Sequence, residues 1–423
     1  GLTLEDKSPG YAPHDVCLTF DNRYGVCRDK AALLAAMLRI AGFEAYPVLI
    51  HAGAKMDNEV PLPYFNHAIT GVRAPGSKEA DKAGYILMDP TDESSRDIMP
   101  AYLGDRSYLV ATPFGETLHL SSVPPAKANS LDVESEGSVE KDGSLLVKSV
   151  VRFGGLNDNA YRRGLLKMTA EDRRRFFERV VKGLSSSAEL ISAELSPADL
   201  RRTEEELSVE LLFRVNEALL KGESREELTV PALSRVLGVA NWAFDGSTSL
   251  LTRRFPLVVS STARTTELIR IKLGDSIGET VALPRDIAID GAYSFSRKTS
   301  VRNGVYTMKR SLSVNEVEFS PDDYAELLES LKTVEAAERQ RAVFAKSRYA
   351  DAHVRYREIA AFVNVTGPKS WVVTNVIEKE ILTYDGKKKS VFVDRKRAAR
   401  LSDLMGHVQC VIFSPEDLML VKE

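Results

Sequence analysis

The chain has few cysteines and no long apolar run, and both absences narrow its class. Its 423 residues include three cysteines, at positions 17, 27 and 410. Three thiols leave at least one unpaired and cannot form the dense disulfide framework of a small secreted domain. No apolar run approaches the roughly 18 residues that a membrane-spanning helix needs. We therefore expect a globular protein with a free thiol and no integral membrane segment.

The chain also lacks a large net charge of either sign. The chain has 57 Lys and Arg residues against 60 Asp and Glu residues, so its formal net charge is −3. This balance argues against a globally basic nucleic-acid-binding protein. A hydrophobic content of 43% and a charged content of 28% are typical of globular domains. The length is sufficient for two or three such domains.

The segment after Gly25 has the pattern of a buried helix with a thiol at its start. Residues 31–38 are apolar on nearly every face, and Gly42 is a typical C-terminal stop. Cys27 lies in or just before the first turn, where free backbone N–H groups and the helix dipole favour an anion. Such a position lowers the pKa of a thiol. The alternative is that Cys27 is a small apolar residue that caps a core helix.

Two short strands bring a histidine and an aspartate into the same region. Residues 68–72 and 85–89 predict strands on either side of a polar loop, so we expect an antiparallel hairpin. The midpoint of His67 and Asp89 is position 78, the centre of the loop, and a symmetric register would place the two residues directly opposite each other. A neighbouring carboxylate orients an imidazole, whose other nitrogen can then accept a thiol proton. Taken singly, His67 is equally well explained as a strand-edge histidine and Asp89 as a turn residue.

Together these segments resemble the transglutaminase-like superfamily. The motifs are Gly-Val-Cys-Arg-Asp-Lys around Cys27, Phe-Asn-His-Ala around His67 and Met-Asp-Pro-Thr around Asp89. More narrowly, the chain is similar to bacterial proteins in which this core lies between an N-terminal and a C-terminal β-rich domain. The resemblance implies a papain-like α+β core in which Cys27 is the nucleophile, His67 the base and Asp89 the acid that orients the imidazole.

Such a site predicts acyl transfer through a thioester. Cys27 would attack a peptide or carboxamide carbonyl, and His67 would accept and later return the proton. Resolution by water gives a peptidase or amidase, and resolution by a lysine amine gives a cross-linking transferase. The expected partner is a peptide or protein substrate. No cofactor is expected, and no metal either, because Cys27 and His67 lack the close ligand spacing of a zinc site. The alternative is a catalytically silent peptide-binding or scaffold module.

The fold class predicted for the whole chain is α+β, in three parts. Residues 1–123 form the papain-like transglutaminase core, residues 131–344 form a β-rich, sandwich-like domain with a few helices, and residues 345–423 form a short α/β tail. The core motif follows closely after Gly1, so we expect an N-terminally truncated core. The family resemblance implies an upstream domain and often an export signal, and thus a cell-envelope or periplasmic location, which the residues themselves leave unknown.

Local signals predict several elements of the second part. A linker rich in proline and small residues follows Val123. Residues 135–153 predict a hairpin around an Asp-Gly turn. An acidic first turn and an apolar stripe predict a helix over 169–184. Ser320 followed by proline predicts a capped helix that reaches about residue 339.

The C-terminal segment resembles a different protein. Residues 372–423 are similar to an internal piece of RecF, the recombination ATPase, through motifs such as Val-Ile-Phe-Ser-Pro-Glu-Asp-Leu at 411–418. An ATPase of that family needs a glycine-rich phosphate loop. The nearest string, residues 367–370, lacks the required earlier glycine, so we expect no ATP binding. The basic stretch 387–400 leaves nucleic-acid binding as a second alternative to the enzyme, although a solvent-facing hairpin explains it better.

Overall fold

The computed structural model of the chain describes most of its length up to residue 346. The described residues are 12–53, 65–222, 225–274 and 277–346, and the backbone of short strands at 363–367, 370–373, 383–384 and 387–388. Most of the predicted tail, including Cys410 and most of the RecF-like segment, lies outside these residues. Within them the chain has both helices and many strands, and the predicted α+β class is confirmed at this level. None of the helices in the described ranges is long and apolar enough to cross a membrane.

The N-terminal part consists of a five-stranded antiparallel sheet, one helix packed on it and a second helix packed against the first. Its elements are α1 Val16–Asn22, α2 Cys27–Ile40, β1 Ala45–Ile50, β2 His67–Arg73, β3 Tyr85–Met88, β4 Ser107–Val110 and β5 His119–Leu120. The strand order is β3-β2-β1-β4-β5. The small side chains of Ala31 and Ala35 let α2 lie close to the sheet, and the Thr70 hydroxyl of β2 donates to the Ala31 carbonyl at 3.0 Å. This packing sets the start of α2 beside the start of β2.

The larger part is rich in strands and contains three helices. Its elements are β6 Ser130–Val139, β7 Leu145–Phe153, α3 Leu156–Leu166, α4 Ala170–Leu184, β8 Ala188–Ser196, β9 Leu207–Val215, β10 Leu219–Lys221, β11 Arg225–Leu228, β12 Leu257–Val258, β13 Ala263–Lys272, β14 Ile277–Ala282, β15 Ile287–Ile289, β16 Tyr293–Arg302, β17 Val305–Val314, β18 Glu318–Phe319, α5 Pro321–Glu338 and β19 Ala342–Lys346.

One curled eight-stranded sheet forms the centre of this part. Its strand order is β15-β16-β17-β13-β6-β7-β9-β8, in which only β6 and β13 run parallel. Buried and less buried residues alternate along β7 and β9, as expected for strands with one face in a core. Helices α3 and α4 and a smaller sheet, β10-β11-β19-β14, pack against the same core through residues such as Tyr161, Phe177 and Phe344.

The predicted linker after Val123 is an ordered junction instead. Residues Ala126–Asn129 form a short 3-10 helix, and Asn129 is almost fully buried. Its side-chain amide donates to the Thr262 carbonyl at 2.9 Å and accepts from the Leu156 N–H at 3.0 Å. A proline-rich stretch indicates where a chain changes direction, but the buried partners of Asn129 are distant in sequence and leave no local signal.

The motif Gly155-Leu-Asn-Asp-Asn has a structural role at this junction. Gly155 has a φ of 53°, and a Cβ there would lie 2.3 Å from the Ala128 carbonyl oxygen, so only glycine fits. The Asn157 side chain donates to the Asn129 carbonyl at 2.9 Å. Asn159 donates to the Asp92 carboxylate at 2.5 Å, which joins the larger part to the loop that follows Asp89.

Asp158 and Arg162 form a buried ion pair within α3. The Arg162 Nε donates to Asp158 Oδ1 at 2.6 Å, and neither side chain is more than 1% exposed. Nη2 also donates to Asp158 Oδ2 at 2.9 Å, and the other guanidinium protons reach backbone carbonyls, among them that of Leu200 at 3.0 Å. The Leu207 N–H donates to the other carboxylate oxygen at 2.9 Å. This pair therefore connects α3 to the start of β9 and to the segment before it.

We expect Arg162→Met to lower the free energy of unfolding by about 3–5 kcal/mol, because it leaves a buried carboxylate without its counter-charge and several carbonyls without donors. The matched control is Arg174→Met on α4, whose exposed pair with Glu178 at 3.0 Å should contribute less than about 0.5 kcal/mol. Urea unfolding followed by circular dichroism measures both variants. Equal midpoints for the two variants would contradict the role assigned to Arg162.

Candidate active site

A buried carboxylate organises the start of α2, where Cys27 lies. Val26 precedes the helix and has no polar side chain to cap it. Asp29 replaces the missing cap, since its Oδ2 accepts from the Val26 N–H at 3.1 Å while its Oδ1 accepts from the His14 N–H at 2.9 Å. Gly25 allows this approach, because a Cβ there would lie 2.8 Å from the Asp29 Cβ. Burial alone would raise the pKa of Asp29, but the hydrogen bonds from His14 and Val26 hold it below its ordinary value.

The Cys27 thiol is half-buried and points towards β2. Its hydrogen bond with His67 is the main cause that lowers the thiol pKa from its ordinary value. Burial acts in the opposite direction, whereas the backbone N–H groups of Ala68 and Arg28 favour the thiolate further. Cys17, the other cysteine in the described ranges, is exposed, and neither thiol is in a disulfide.

His67 is the first residue of β2, and it contacts Asp89 with one ring nitrogen. Its Nε2 lies 2.9 Å from Asp89 Oδ2, which leaves Nδ1 for Cys27. Burial would lower the pKa of His67, but the hydrogen bonds to Asp89 and Cys27 outweigh it and raise the pKa to about 9. The structure thus brings Cys27, His67 and Asp89 together, with His67 bonded to Asp89 and close enough to Cys27 to lower its pKa.

Asp89 is held by both carboxylate oxygens. Its side chain is fully buried, and Oδ1 accepts from the Thr91 N–H at 2.9 Å and from the Thr91 hydroxyl at 2.7 Å. Burial raises the pKa of Asp89, whereas the bonds from His67 and Thr91 lower it, and the balance lies below the ordinary value. The two explanations weighed for Asp89, a turn residue and an imidazole partner, are both correct, because each describes one oxygen.

The predicted register of the hairpin is wrong by two residues. The pairs observed are Thr70 with Met88 and Gly71 with Leu87, so the centre lies at position 79 rather than 78, and His67 and Asp89 are not directly opposite. Strand pairing ends at Met88, and the Asp89 N–H donates to the Ile98 carbonyl at 2.7 Å. A shift of two residues keeps side chains on the same face, so the two residues still meet as diagonal neighbours.

Sequence reasoning missed the residues that hold Cys27, His67 and Asp89 in place. Thr91 follows Asp89 by two positions, a spacing at which a hydroxyl and an aspartate commonly form a local turn, so this signal was available. Asp29 appears in the sequence as an ordinary acidic residue in a first helical turn. Its buried contact with His14 spans fifteen residues and is not readable from a pattern.

A shallow groove lies beside the start of α2. It has a volume of about 510 Å³, and its walls include Phe20, Tyr24, Lys30, Leu33 and Met37. Phe20, Tyr24 and Met37 are each more than half exposed. Within the described residues, no group of three or more His, Cys, Asp or Glu side chains could hold a metal ion.

Comparisons with known proteins give limited similarity. No model of a known protein family matches the chain. A solved structure of a presumed protease from Parabacteroides distasonis aligns with 79% of this chain and 47% of its own, at 12% identity and a TM-score of 0.42. The chain is also 36% identical to the DNA replication and repair protein RecF of Geotalea daltonii over 55 residues, which are 13% of this chain and 15% of RecF. The chain thus spans less than half of either relative, and the RecF similarity is a short, partial match.

Proposed function

We propose that the chain is a cysteine-dependent acyltransferase or protease of transglutaminase-like type, with Cys27, His67 and Asp89 as its catalytic residues. The observation that carries this proposal is the hydrogen bond of 2.9 Å between His67 and the buried Asp89, with the Cys27 thiol beside the same imidazole, which lowers the thiol pKa. The location of the thiol at a helix N-terminus supports it, because both features stabilise a thiolate. A structural cysteine would need neither an imidazole nor a buried carboxylate behind it.

The pair formed by Cys27 and His67 favours a thiolate beside an imidazolium. The pKa of His67 is raised to about 9 and that of Cys27 is lowered, so each group supports the charged form of the other. The ion pair exists above the lowered pKa of the thiol and disappears as the pH rises through about 9, where the imidazolium loses its proton. Reactivity that needs both charges therefore has a bell-shaped pH profile.

The proposed reaction proceeds in two steps. The Cys27 sulfur attacks the carbonyl carbon of a peptide or carboxamide, the C–N bond breaks, and the leaving amine takes the proton from His67. The Cys27 N–H, which has no acceptor within its helix, donates to the oxyanion. In the second step His67 removes a proton from water or from an amine, which then attacks the thioester and releases Cys27. The groove with apolar walls beside α2 would accept an apolar part of the substrate.

The first prediction concerns the reactivity of the thiol. We expect iodoacetamide to alkylate Cys27 at rates that reach half their maximum well below the ordinary thiol pKa of about 8.5, because its pKa is lowered mainly by His67. Mass spectrometry of peptides after timed quenching measures the rates. In His67→Ala the half-maximum should move to higher pH.

Cys17 in the same sample is the control for reagent and exposure, and its profile should be the same in the wild type and in His67→Ala. If the Cys27 profile did not change when His67 is removed, the thiol and the imidazole would not be coupled. That result would favour the catalytically silent peptide-binding module.

The second prediction concerns the covalent intermediate. Incubation with an activated ester or a peptide anilide library should give an acyl adduct on Cys27, and Cys27→Ala should give none while its melting temperature stays nearly unchanged. Adding methylamine distinguishes the two possible second steps, since a transferase releases the N-methylamide and a hydrolase releases the acid. An adduct of equal yield on the Ala variant would refute the proposal.

The third prediction concerns the orienting acid. Asp89→Asn should lower kcat by about 100- to 10,000-fold with little change in KM, because the amide keeps its bonds near Thr91 but cannot stabilise the imidazolium. The matched control is Asp92→Asn, three residues further along the same loop, whose carboxylate bonds Ser94 and Asn159 instead. Its kcat should stay within a few-fold of the wild-type value. Equal losses in the two variants would mean that loop order, rather than the charge of Asp89, limits the reaction.

A further inference from the structure

The β-rich part contains a cavity that belongs to no site described so far. Its volume is about 360 Å³, within the range of small-molecule sites. Its walls combine apolar side chains such as Leu228, Tyr306 and Met308 with five arginines, and among the described residues that line it the only acid is Glu338. The arginines are at positions 235, 297, 310, 339 and 341.

Arg297 is a buried cation without a counter-charge in contact. It is only 4% exposed, and its guanidinium donates to the carbonyls of Ala337 at 2.6 Å and Arg285 at 2.9 Å and to the Gln340 side chain at 3.1 Å. Its Nε is buried with no partner in the part of the chain that the structure describes. A buried charge without a partner of opposite sign is unfavourable, and proteins normally pair such a group or bind an ion to it.

The two neighbouring arginines share one carboxylate. The Arg310 Nε lies 2.6 Å from Glu338 Oε1, and the Arg235 Nε lies 3.1 Å from Glu338 Oε2. Glu267 lies behind Ser234, which also contacts Arg310, and burial raises the pKa of Glu267 and so disfavours its charge. Three guanidiniums therefore lie near two carboxylates, Glu338 in contact with Arg235 and Arg310 and Glu267 behind Ser234, so the interior of the cavity keeps an excess of positive charge.

The other two arginines do not change this balance. Arg339 pairs with Glu335 at 2.5 Å, and Arg341 pairs with Glu227 at 3.3 Å. All four of these side chains are well exposed. The unmatched charge thus belongs to Arg235, Arg297 and Arg310, and one anionic group would balance the positive charge that remains after Glu338 and Glu267 are counted.

We propose that this cavity binds a small organic anion, with one carboxylate or phosphate group at Arg235, Arg297 and Arg310 and an apolar body against Tyr306 and Met308. Guanidinium groups match the geometry of both head groups, which accept two parallel hydrogen bonds. The apolar walls add affinity for a ligand that carries a hydrocarbon part. This binding is independent of the chemistry proposed for Cys27.

The ligand classes are separated by calorimetric titration of the full chain at constant ionic strength with hexanoate, hexyl phosphate, acetate and hexanol. We expect hexanoate or hexyl phosphate to bind, with the tighter of the two identifying the head group. Acetate should bind at least tenfold more weakly than hexanoate, and hexanol should not bind measurably. Binding of hexanol equal to that of the anions, or no binding of either six-carbon anion, would overturn the proposal.

Two variants with opposite expected effects locate the site. Arg235→Gln should lower the affinity for the anion about tenfold, because it removes one charge-assisted donor. Glu338→Gln should strengthen binding of the anion, since the substitution removes the carboxylate that competes for Arg235 and Arg310. A loss of folding would weaken binding and cannot produce this gain. The matched control is Arg270→Gln, whose side chain is 47% exposed against 49% for Arg235 and pairs with Glu136 at 3.8 Å on the large sheet, away from the cavity lining. Equal weakening by Arg235→Gln and Arg270→Gln, or no effect of Glu338→Gln, would refute the site.

Discussion

The carboxylate of Asp89 has no exposed side-chain surface, and its two oxygens bond to different parts of the molecule. One accepts from Thr91 and closes the turn that ends β3, and the other accepts from His67 at the start of β2. A buried carboxylate is unfavourable unless its oxygens are hydrogen-bonded. The folding of the turn and the orientation of the imidazole are therefore one requirement, and the low pKa of the proposed nucleophile depends on it through His67.

Much of the local structure could be predicted, because its signals lie close together in the chain. The predicted helix over 169–184 is observed as α4, with Thr169 as its cap, and the Ser320-Pro321 signal marks the start of α5. A side-chain oxygen that caps a helix accepts from an N–H two or three residues further along the chain, so both partners are visible in a short sequence pattern. Cys27 at the start of α2 was predictable from the apolar residues 31–38 that follow it and from Gly25 before it. The meeting of His67 and Asp89 was predictable because strand parity survives a shift of two residues.

The features that were missed depend on contacts between distant residues. The predicted hairpin centre at position 78 was the midpoint of His67 and Asp89, whereas the Ala74 N–H donates to the Gly84 carbonyl at 2.9 Å in a loop centred on position 79. Asn129 was expected in a linker, but its amide bonds Thr262, which is 133 residues away. Composition describes which residues prefer turns, and it contains no information about which buried partner such a residue will find.

Burying a charged group is unfavourable, and three groups of buried charges in this chain compensate for it in different ways. Asp158 and Arg162 neutralise each other and exhaust their hydrogen bonds within the protein, so their arrangement is complete and structural. In the group of Cys27, His67 and Asp89 the carboxylate is also satisfied within the protein, but the thiol and the imidazole each shift the pKa of the other towards its charged form. Around Arg297 the protein supplies carbonyls and one amide but no contacting carboxylate among the described residues. The complete ion pair of Asp158 and Arg162 gives stability. The proposed catalytic residues, whose pKa values are shifted, are suited to proton transfer. Arg297, which lacks a contacting carboxylate, can be paired with an anion from solution.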